Sequence, residues 1–223
     1  MNVTEAVTSR RSVRQFLDKP VDKTILERVL ETAQRAPSGG NTQPWNAVLV
    51  TGDELTRITD SIKAKAATAP MGENAEYAIY PKDLDGRYEE QRRAVGREMF
   101  NSVGLERGDS AGRIAQMAQN WDSFGAPVQL FTYTKKYMGP PQWSDIGMWL
   151  QTVMLLLREE GLDSCAQEIW AMYGTHMREL LDLGDDYIFF CGMAIGYRDP
   201  DAPINSFEVP RVAIDDAIKL RGF

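Results

Sequence analysis

The stretch from Trp143 to Glu160 carries Ile146, Met148, Trp149, Leu150, Val153, Met154, Leu156 and Leu157, so apolar side chains face nearly every direction around a helix. A helix without a polar face must be covered on all sides, and the spacing predicts a central, fully buried helix. Its most apolar run, Met148 to Leu157, spans ten residues and includes Gln151 and Thr152. That is too short to cross a bilayer. Gly161 ends the helix, and Tyr187 to Tyr197 (YIFFCGMAIGY) is the strongest strand signal in the chain.

Other elements fall around this centre. Asn2 and Glu5 read as a capping box that opens a short helix with Val3 and Val7 inward. Asp22 caps a second helix with Ile25, Leu26, Val29, Leu30 and Ala33 at helical spacing, stopped by Pro37, Gly39 and Gly40. Ala47–Val50 is a strand, and Asp53 caps a helix carrying Leu55, Ile58 and Ile62. From about 67 to 110 the pattern weakens, with only Ala94, Val95, Met99 and Phe100 suggesting a helix. An excursion of this length inside a compact domain reads as a lid or binding loop. A helix through Ile114, Met117 and Trp121, a strand from Pro127 to Thr134, a short strand from Ser164 to Gln167 and a helix with Met177, Leu180 and Leu181 complete the pattern. The tail, 199–223, has three prolines and is expected to clasp a partner chain, with Val212 to Leu220 as its only core-like face. Residues 1–223 thus read as one α+β domain, helices around a central, mostly antiparallel or mixed sheet. No GxGxxG follows a strand, which argues against a Rossmann unit.

Composition narrows the chemistry. With 25 Lys+Arg against 32 Asp+Glu, the net charge is −7, and a nucleic-acid surface is not expected. Cys165 and Cys191 give no disulfide framework, and a single His176 leaves no histidine zinc site, dyad or triad, so no metal is expected. The opening MNVTEAVTSRRS lacks the apolar core of a signal peptide, so a cytoplasmic protein off the membrane is expected.

Four segments carry the remaining polar information. Ser9-Arg10-Arg11-Ser12-Val13-Arg14 places three arginines and two hydroxyls in six residues. Such a cluster suits a phosphate monoester gripped by guanidinium forks, or else is a solvated basic patch at a helix C-terminus. The loop Pro37-Ser38-Gly39-Gly40-Asn41-Thr42-Gln43-Pro44-Trp45 offers close backbone approach and neutral donors and acceptors to a heterocycle edge, or else is a helix stop turning into a strand. The segment from Gly161 to Trp170 follows the central helix, and in it Gln167 and Glu168 are either functional groups or satisfied structural polars. Cys165 beside them reads as a small buried hydrophobe, with no neighbour to lower its pKa. The fourth segment joins Gly196-Tyr197-Arg198-Asp199-Pro200 to the stretch from Asn205 to Arg211.

Together the four segments resemble the nitroreductase family of FMN-dependent oxidoreductases, and within it the nitrobenzoate-reducing members. The resemblance runs from SRRSVRQF through APSGGNTQPW and GLDSC to GMAIGYRDPDAPIN, nearly the whole chain. It implies a nitroreductase-like fold in an intertwined homodimer with FMN at the subunit interface. Arg10, Arg11 and Ser12 match the residues that hold the phosphate and ribityl chain, and Arg14 the one facing the N1/C2 edge of the isoalloxazine. Pro37, Ser38, Gly39, Asn41 and Gln43 match a loop supplied by the other subunit. Gln167, Glu168 and Ile169 match the backbone along the C4=O and N5 edge, and Arg211 matches the arginine that completes the phosphate site. Glu208 stands where relatives commonly carry a second basic residue.

The resemblance implies a cycle in which NADH or NADPH reduces the flavin and leaves, and a nitroaromatic then takes hydride, ending as a hydroxylamino product. The flavin carries the hydride, so no side-chain nucleophile is required. An arginine about 4 Å from charge developing near N1 is worth about 4 kcal/mol at an effective dielectric near 20, before desolvation. Tyr77, Tyr80 and Tyr88 are expected to stack on the substrate ring, with Arg87 or Arg92 pairing a substrate carboxylate. Reductive dehalogenation of a halophenol or halotyrosine and quinone or enone reduction are the alternatives, and a flavin sensor or storage protein is the non-enzyme one.

Overall fold

The computed structural model describes residues 1–223. Its frame is a four-stranded sheet of β1 (Asn46–Thr51), β2 (Val128–Lys135), β3 (Asp163–Gln167) and β4 (Tyr187–Gly196) in the order β1-β2-β4-β3, every neighbouring pair antiparallel. The expected sheet is therefore present, without parallel strand pairs. Alternation along β2 and β4 sends Val128, Leu130, Met193 and Ile195 to one face and Phe131 and Phe189 to the other. The first face is covered by α2 (Lys23–Ala33) and α6 (Pro140–Glu159), through Leu26, Val29, Ile146, Trp149, Val153 and Leu157. The second is covered by α3 (Gly52–Thr68) and α7 (Gly174–Leu180), with Ile58, Ile62, Trp170, Tyr173 and Met177 fully buried. Gly192 on β4 permits that packing, because a Cβ there would lie 2.8 Å from Trp170 Cδ1.

A bulge makes the two faces compatible. Thr132 pairs with Cys191 but Tyr133 pairs with Phe189, so Phe190 is one extra residue on β4. Without it Phe189 would keep the phase of Cys191 and point into the wrong layer. The Phe190 carbonyl is answered by the Tyr77 hydroxyl, whose ring also meets Trp143 edge-on at 5.1 Å.

The remaining helices are α1 (Val3–Ser9), α4 (Gly86–Ser102), α5 (Ser110–Ala118) and α8 (Ile214–Ala217). The capping box at Asn2 and Glu5 is present, with Glu5 N–H donating to Asn2 Oδ1 at 2.9 Å. Val3 and Val7 do not point inward; they are 76% and 49% exposed, and Ala6 is the buried residue of α1. Asp53 is not a cap either: α3 begins at Gly52, and Asp53 lies in its first turn, where its charge favours the dipole. Trp121 falls beyond α5, in a 3-10 turn over Gln119–Gly125. The central helix α6 is buried on one face only, since Met148 is 39% exposed and Ser144 and Gly147 are open. Along the tail, Val212, Ile214, Ile218 and Leu220 are exposed, so that stretch has no core face within this chain.

At the β3 edge, Asp163 is 5% exposed and receives Arg158 Nη1 at 3.0 Å and Arg198 Nη2 at 2.7 Å. This carboxylate joins the end of α6 to the end of β4, and Arg158 also donates to Ser9 Oγ at 3.3 Å. Breaking such a buried set leaves two guanidiniums uncompensated, at a cost of about 3 kcal/mol or more. Asp163→Ala should lower the free energy of unfolding by that order in urea titrations, and a loss under about 1 kcal/mol would show that water rescues the two arginines.

Candidate active site

After α1 the chain runs extended along β3. Ser12 bridges Ser164 in parallel, Val13 N–H donates to Ser164 O at 3.1 Å, and Phe16 N–H donates to Phe124 O at 3.1 Å. Val13 and Phe16 turn inward onto Phe124, Ala126, Cys165 and Ala194, which leaves Arg10, Arg11 and Arg14 facing out of that small core. The tail comes back over them through a 3-10 turn at Pro203–Asn205. There Asn205 Oδ1 accepts from Arg14 N–H at 2.8 Å, while its Nδ2 donates to Gln15 O and Asp199 O.

A cavity of about 620 Å3 opens between these two segments, lined among others by Arg10, Arg14 and Arg211, with Ser12 in its wall. None of these three arginines has a carboxylate within 4 Å, although the chain is acidic overall. Burial and then the nearby Arg211 guanidinium press Arg10 below its ordinary pKa, since the one acid in the cavity wall, Glu208, is paired with Arg11 instead. Arg11 is committed elsewhere: its Nη1 donates to the carbonyls of Asn205, Ser206 and Phe207 at 3.4–3.5 Å, and its Nη2 pairs with Glu208 at 3.4 Å. The acid at position 208 thus clasps Arg11 and fastens the tail.

A second cavity, about 640 Å3, adjoins the first, and Arg14 and Val95 line both. Its walls are Phe124, the run Ala166-Gln167-Glu168-Ile169 at the end of β3, and α4 with α5 through Met99, Phe100 and Met117. This is an apolar slot with one polar edge. Gln167 turns its amide inward, accepting from Gln129 Nε2 at 3.0 Å and donating to Asn120 O at 3.0 Å, which leaves its main chain facing the slot. Burial pushes the Glu168 carboxyl above the ordinary range, with no cation beside it. Cys165 lies beneath, fully buried, and burial raises its thiol as well, so it is no nucleophile. Phe124 is aimed by a strained corner: Ser123 and Phe124 both hold left-handed φ, at 51° and 56°, before Gly125 at 77°.

The site therefore gathers Arg10, Ser12, Arg14, Arg211, Gln167, Glu168 and Ile169, with Tyr80 and Arg92 on the slot wall and Arg11 at the rim. Other expected residues lie apart. Pro37, Ser38, Gly39, Asn41 and Gln43 form a turn before β1 in which Gly39 N–H donates to Asp145 Oδ2 at 3.2 Å. β1 and β3 are opposite edges of the sheet, about 14 Å apart at three inter-strand spacings. This turn lines neither cavity. Tyr77 lines neither cavity; its hydroxyl bonds at the β4 bulge and its ring packs edge-on against Trp143. Arg87 and Tyr88 lie outside both cavities at the start of α4: Arg87 stacks on Tyr88 at 5.0 Å and donates to Asp216 O at 2.6 Å. Sequence reasoning missed Asn205, which orients Arg14, and Phe124, whose only signal was a glycine following a run of helical residues.

Residues 7–197 match the sequence profile of the Nitroreductase family. The chain is 33% identical over 217 residues to a 4-nitrobenzoate reductase of Pseudomonas putida, covering 97% of this chain and 94% of that one. Its structure is similar to the crystal structure of an FMN and NADPH-dependent nitroreductase, NfnB, from Sphigopyxis sp. strain HMH, with TM-score 0.98 and 52% identity over the full length of both. NfnB from Mycobacterium smegmatis, crystallised with NADPH, shares the fold at 23% identity, with TM-score 0.92 over 98% of this chain and 97% of that one. With the profile spanning most of the chain and the fold matched from end to end, this protein belongs to the nitroreductase family.

Proposed function

We propose that this chain is a homodimeric, FMN-dependent oxidoreductase that uses NADH or NADPH to reduce nitroaromatic compounds. One observation carries the reading: Arg10, Arg14 and Arg211, free of acidic partners, converge on a cavity that opens into an apolar slot. A phosphate monoester brings about −1.5 to −2 charges, which such a set neutralises. When bound, FMN supplies two-electron hydride chemistry, taken from the reduced nicotinamide and delivered to an electron-poor acceptor such as a nitro group, which ends as a hydroxylamine.

The protein's own residues bind, orient and enclose. Arg10, Ser12 and Arg211 hold the phosphate end. Arg14 stands where the cavities meet and sets positive charge beside the polar edge of the ring. The Gln167–Ile169 main chain would meet the other edge of the bound ring, and α4 with α5 walls the slot. The family's reduction of 4-nitrobenzoate by a 33%-identical relative supports the substrate class. Two free, buried cysteines and a reaction fed by reduced nicotinamide suit a cytoplasmic setting.

The dimer completes the site. The Pro37–Gln43 turn is too far from its own slot, yet it holds Asn41 and Gln43 at positive φ with side chains open, as a group built to serve another chain. The exposed Val3, Val7 and Met148 supply an apolar face for that partner, and the tail's Ile214, Ile218 and Leu220 an arm to wrap it.

Purified protein should be yellow and bleach on adding NAD(P)H, while a preparation that stays colourless after FMN loading and dialysis would overturn the reading. Arg10→Ala and Arg211→Ala should each weaken FMN retention by about 2 kcal/mol, roughly thirtyfold, in fluorescence titrations of the apoprotein. Arg92→Ala should raise KM for 4-nitrobenzoate by about tenfold and leave nitrobenzene unchanged, whereas Arg87→Ala should alter neither. Equal effects on the two substrates would remove carboxylate recognition from Arg92. Because burial favours the neutral Glu168 acid, the folded chain binds that proton more tightly than the unfolded chain does. Stability is therefore lost as pH rises from the unfolded-state value through the raised folded-state value, and Glu168→Gln should melt above the parent at pH above that raised value, with a gap that closes below about pH 4. A gap independent of pH would show that the carboxyl is not desolvated.

A further inference from the structure

A second set of arginines extends beyond Arg92, the only one of them that also lines the slot. Arg92, Arg93 and Arg97 on α4, Arg107 in the loop that follows and Arg113 on α5 line one cavity of about 580 Å3 with no acidic side chain in its wall. Among them only Arg93 has a carboxylate within 4 Å, Glu89 at 2.5 Å. Arg113 is held flat over Phe100, 4.1 Å from the ring centre, and donates to Arg107 O at 3.4 Å. Like charges this close repel, and a chain with more acids than bases does not lack carboxylates to answer them.

The cavity shares a wall with the ring slot, since Arg92 and Gly96 line both. Gly96 lies mid-helix, where glycine is a poor helix former. Packing does not demand it, because a Cβ there would meet nothing within 4 Å. It keeps the ridge between the two cavities bare, so an elongated ligand can lie across it.

A ligand filling both places needs a planar group for the slot and, some way along, a concentrated anion. NADPH has that form, and its adenosine 2′-phosphate is a monoester with the dianionic charge and open oxygens that guanidinium forks grip. NADH differs only in lacking it. We propose that Arg93, Arg97, Arg107 and Arg113, beyond the Arg92 wall, form the subsite for the 2′-phosphate of NADPH and make NADPH the preferred reductant. This rests on the flavin reading above and adds where the far end of the reductant is held.

The test uses the FMN-loaded enzyme with the double variant Arg97→Ala/Arg107→Ala, neither residue lining the flavin cavities. KM for NADPH should rise by about tenfold or more, with kcat and the KM for NADH within about twofold of the parent. Titration calorimetry on the oxidised enzyme should show the same loss for 2′,5′-ADP and none for ADP. Equal losses for NADPH and NADH would mean that the cluster holds the pyrophosphate common to both, and would overturn the proposal. So would an unchanged KM for NADPH, or a loss confined to 4-nitrobenzoate. Should the double variant fold poorly, Arg107→Gln and a chloride titration of the parent replace it: added salt should raise KM for NADPH more steeply than for NADH, and parallel slopes would refute the subsite. A yellow parent without the NADPH-specific effect defeats this inference alone, while a colourless parent defeats the flavin reading with it.

Discussion

Holding Arg10, Arg14 and Arg211 together without carboxylate partners is the constraint around which this cleft is arranged. Cations brought together in a partly buried cleft repel one another, and the only side-chain bonds of Arg14 and Arg211 run to nearby main-chain carbonyls. The backbone holds them in place. Val13 is tied to Ser164, Phe16 to Phe124 and the Arg14 amide to the Asn205 side chain, while the core beneath is sealed by Val13, Phe16 and Cys165. A bound anion that neutralises these cations would stabilise the folded chain by mass action, so stability and ligand binding are linked.

That arrangement also explains what the tail does inside one chain. Asn205 and the carbonyls of residues 205–207 bind Arg14 and Arg11, and Glu208 holds Arg11 from the side. Arg211 can then hang into the cavity from a segment that has almost no core of its own. The Asp163 carboxylate plays the matching part on the other side, locking α6, β3 and β4 so that the Gln167–Ile169 edge is rigid.

Much of this could be read from residue order. The capping box, the α2 spacing, the strands and the arginine segment are local signals, set by hydrogen bonds and periodicities within a few residues. Arg10, Ser12 and Arg14 line one cavity because they stand close in the chain. Burial was harder to read. Val3, Val7, Met148 and the tail's apolar residues look like core by composition, but core residues need a partner surface, and sequence does not say whether that surface belongs to the same chain. Tyr77 and Arg87 lie outside the two cavities for a related reason. Their polar groups are claimed by main-chain carbonyls far away in sequence, at Phe190 and Asp216, and no spacing announces such a contact. Phe124 was hidden because consecutive left-handed residues leave no mark in composition.

The bulge at Phe190 bears on how the specificity of such an enzyme can be altered. The excursion over the slot is the natural place to diversify, and Tyr80, Met99 and Phe100 line it without holding the sheet together. Tyr77 sits in the same stretch but is a structural pin for β4, so libraries that randomise the whole excursion will spend most of their members on misfolded clones. Leaving that phenol untouched separates the freedom to vary the pocket from the need to keep the strands in phase.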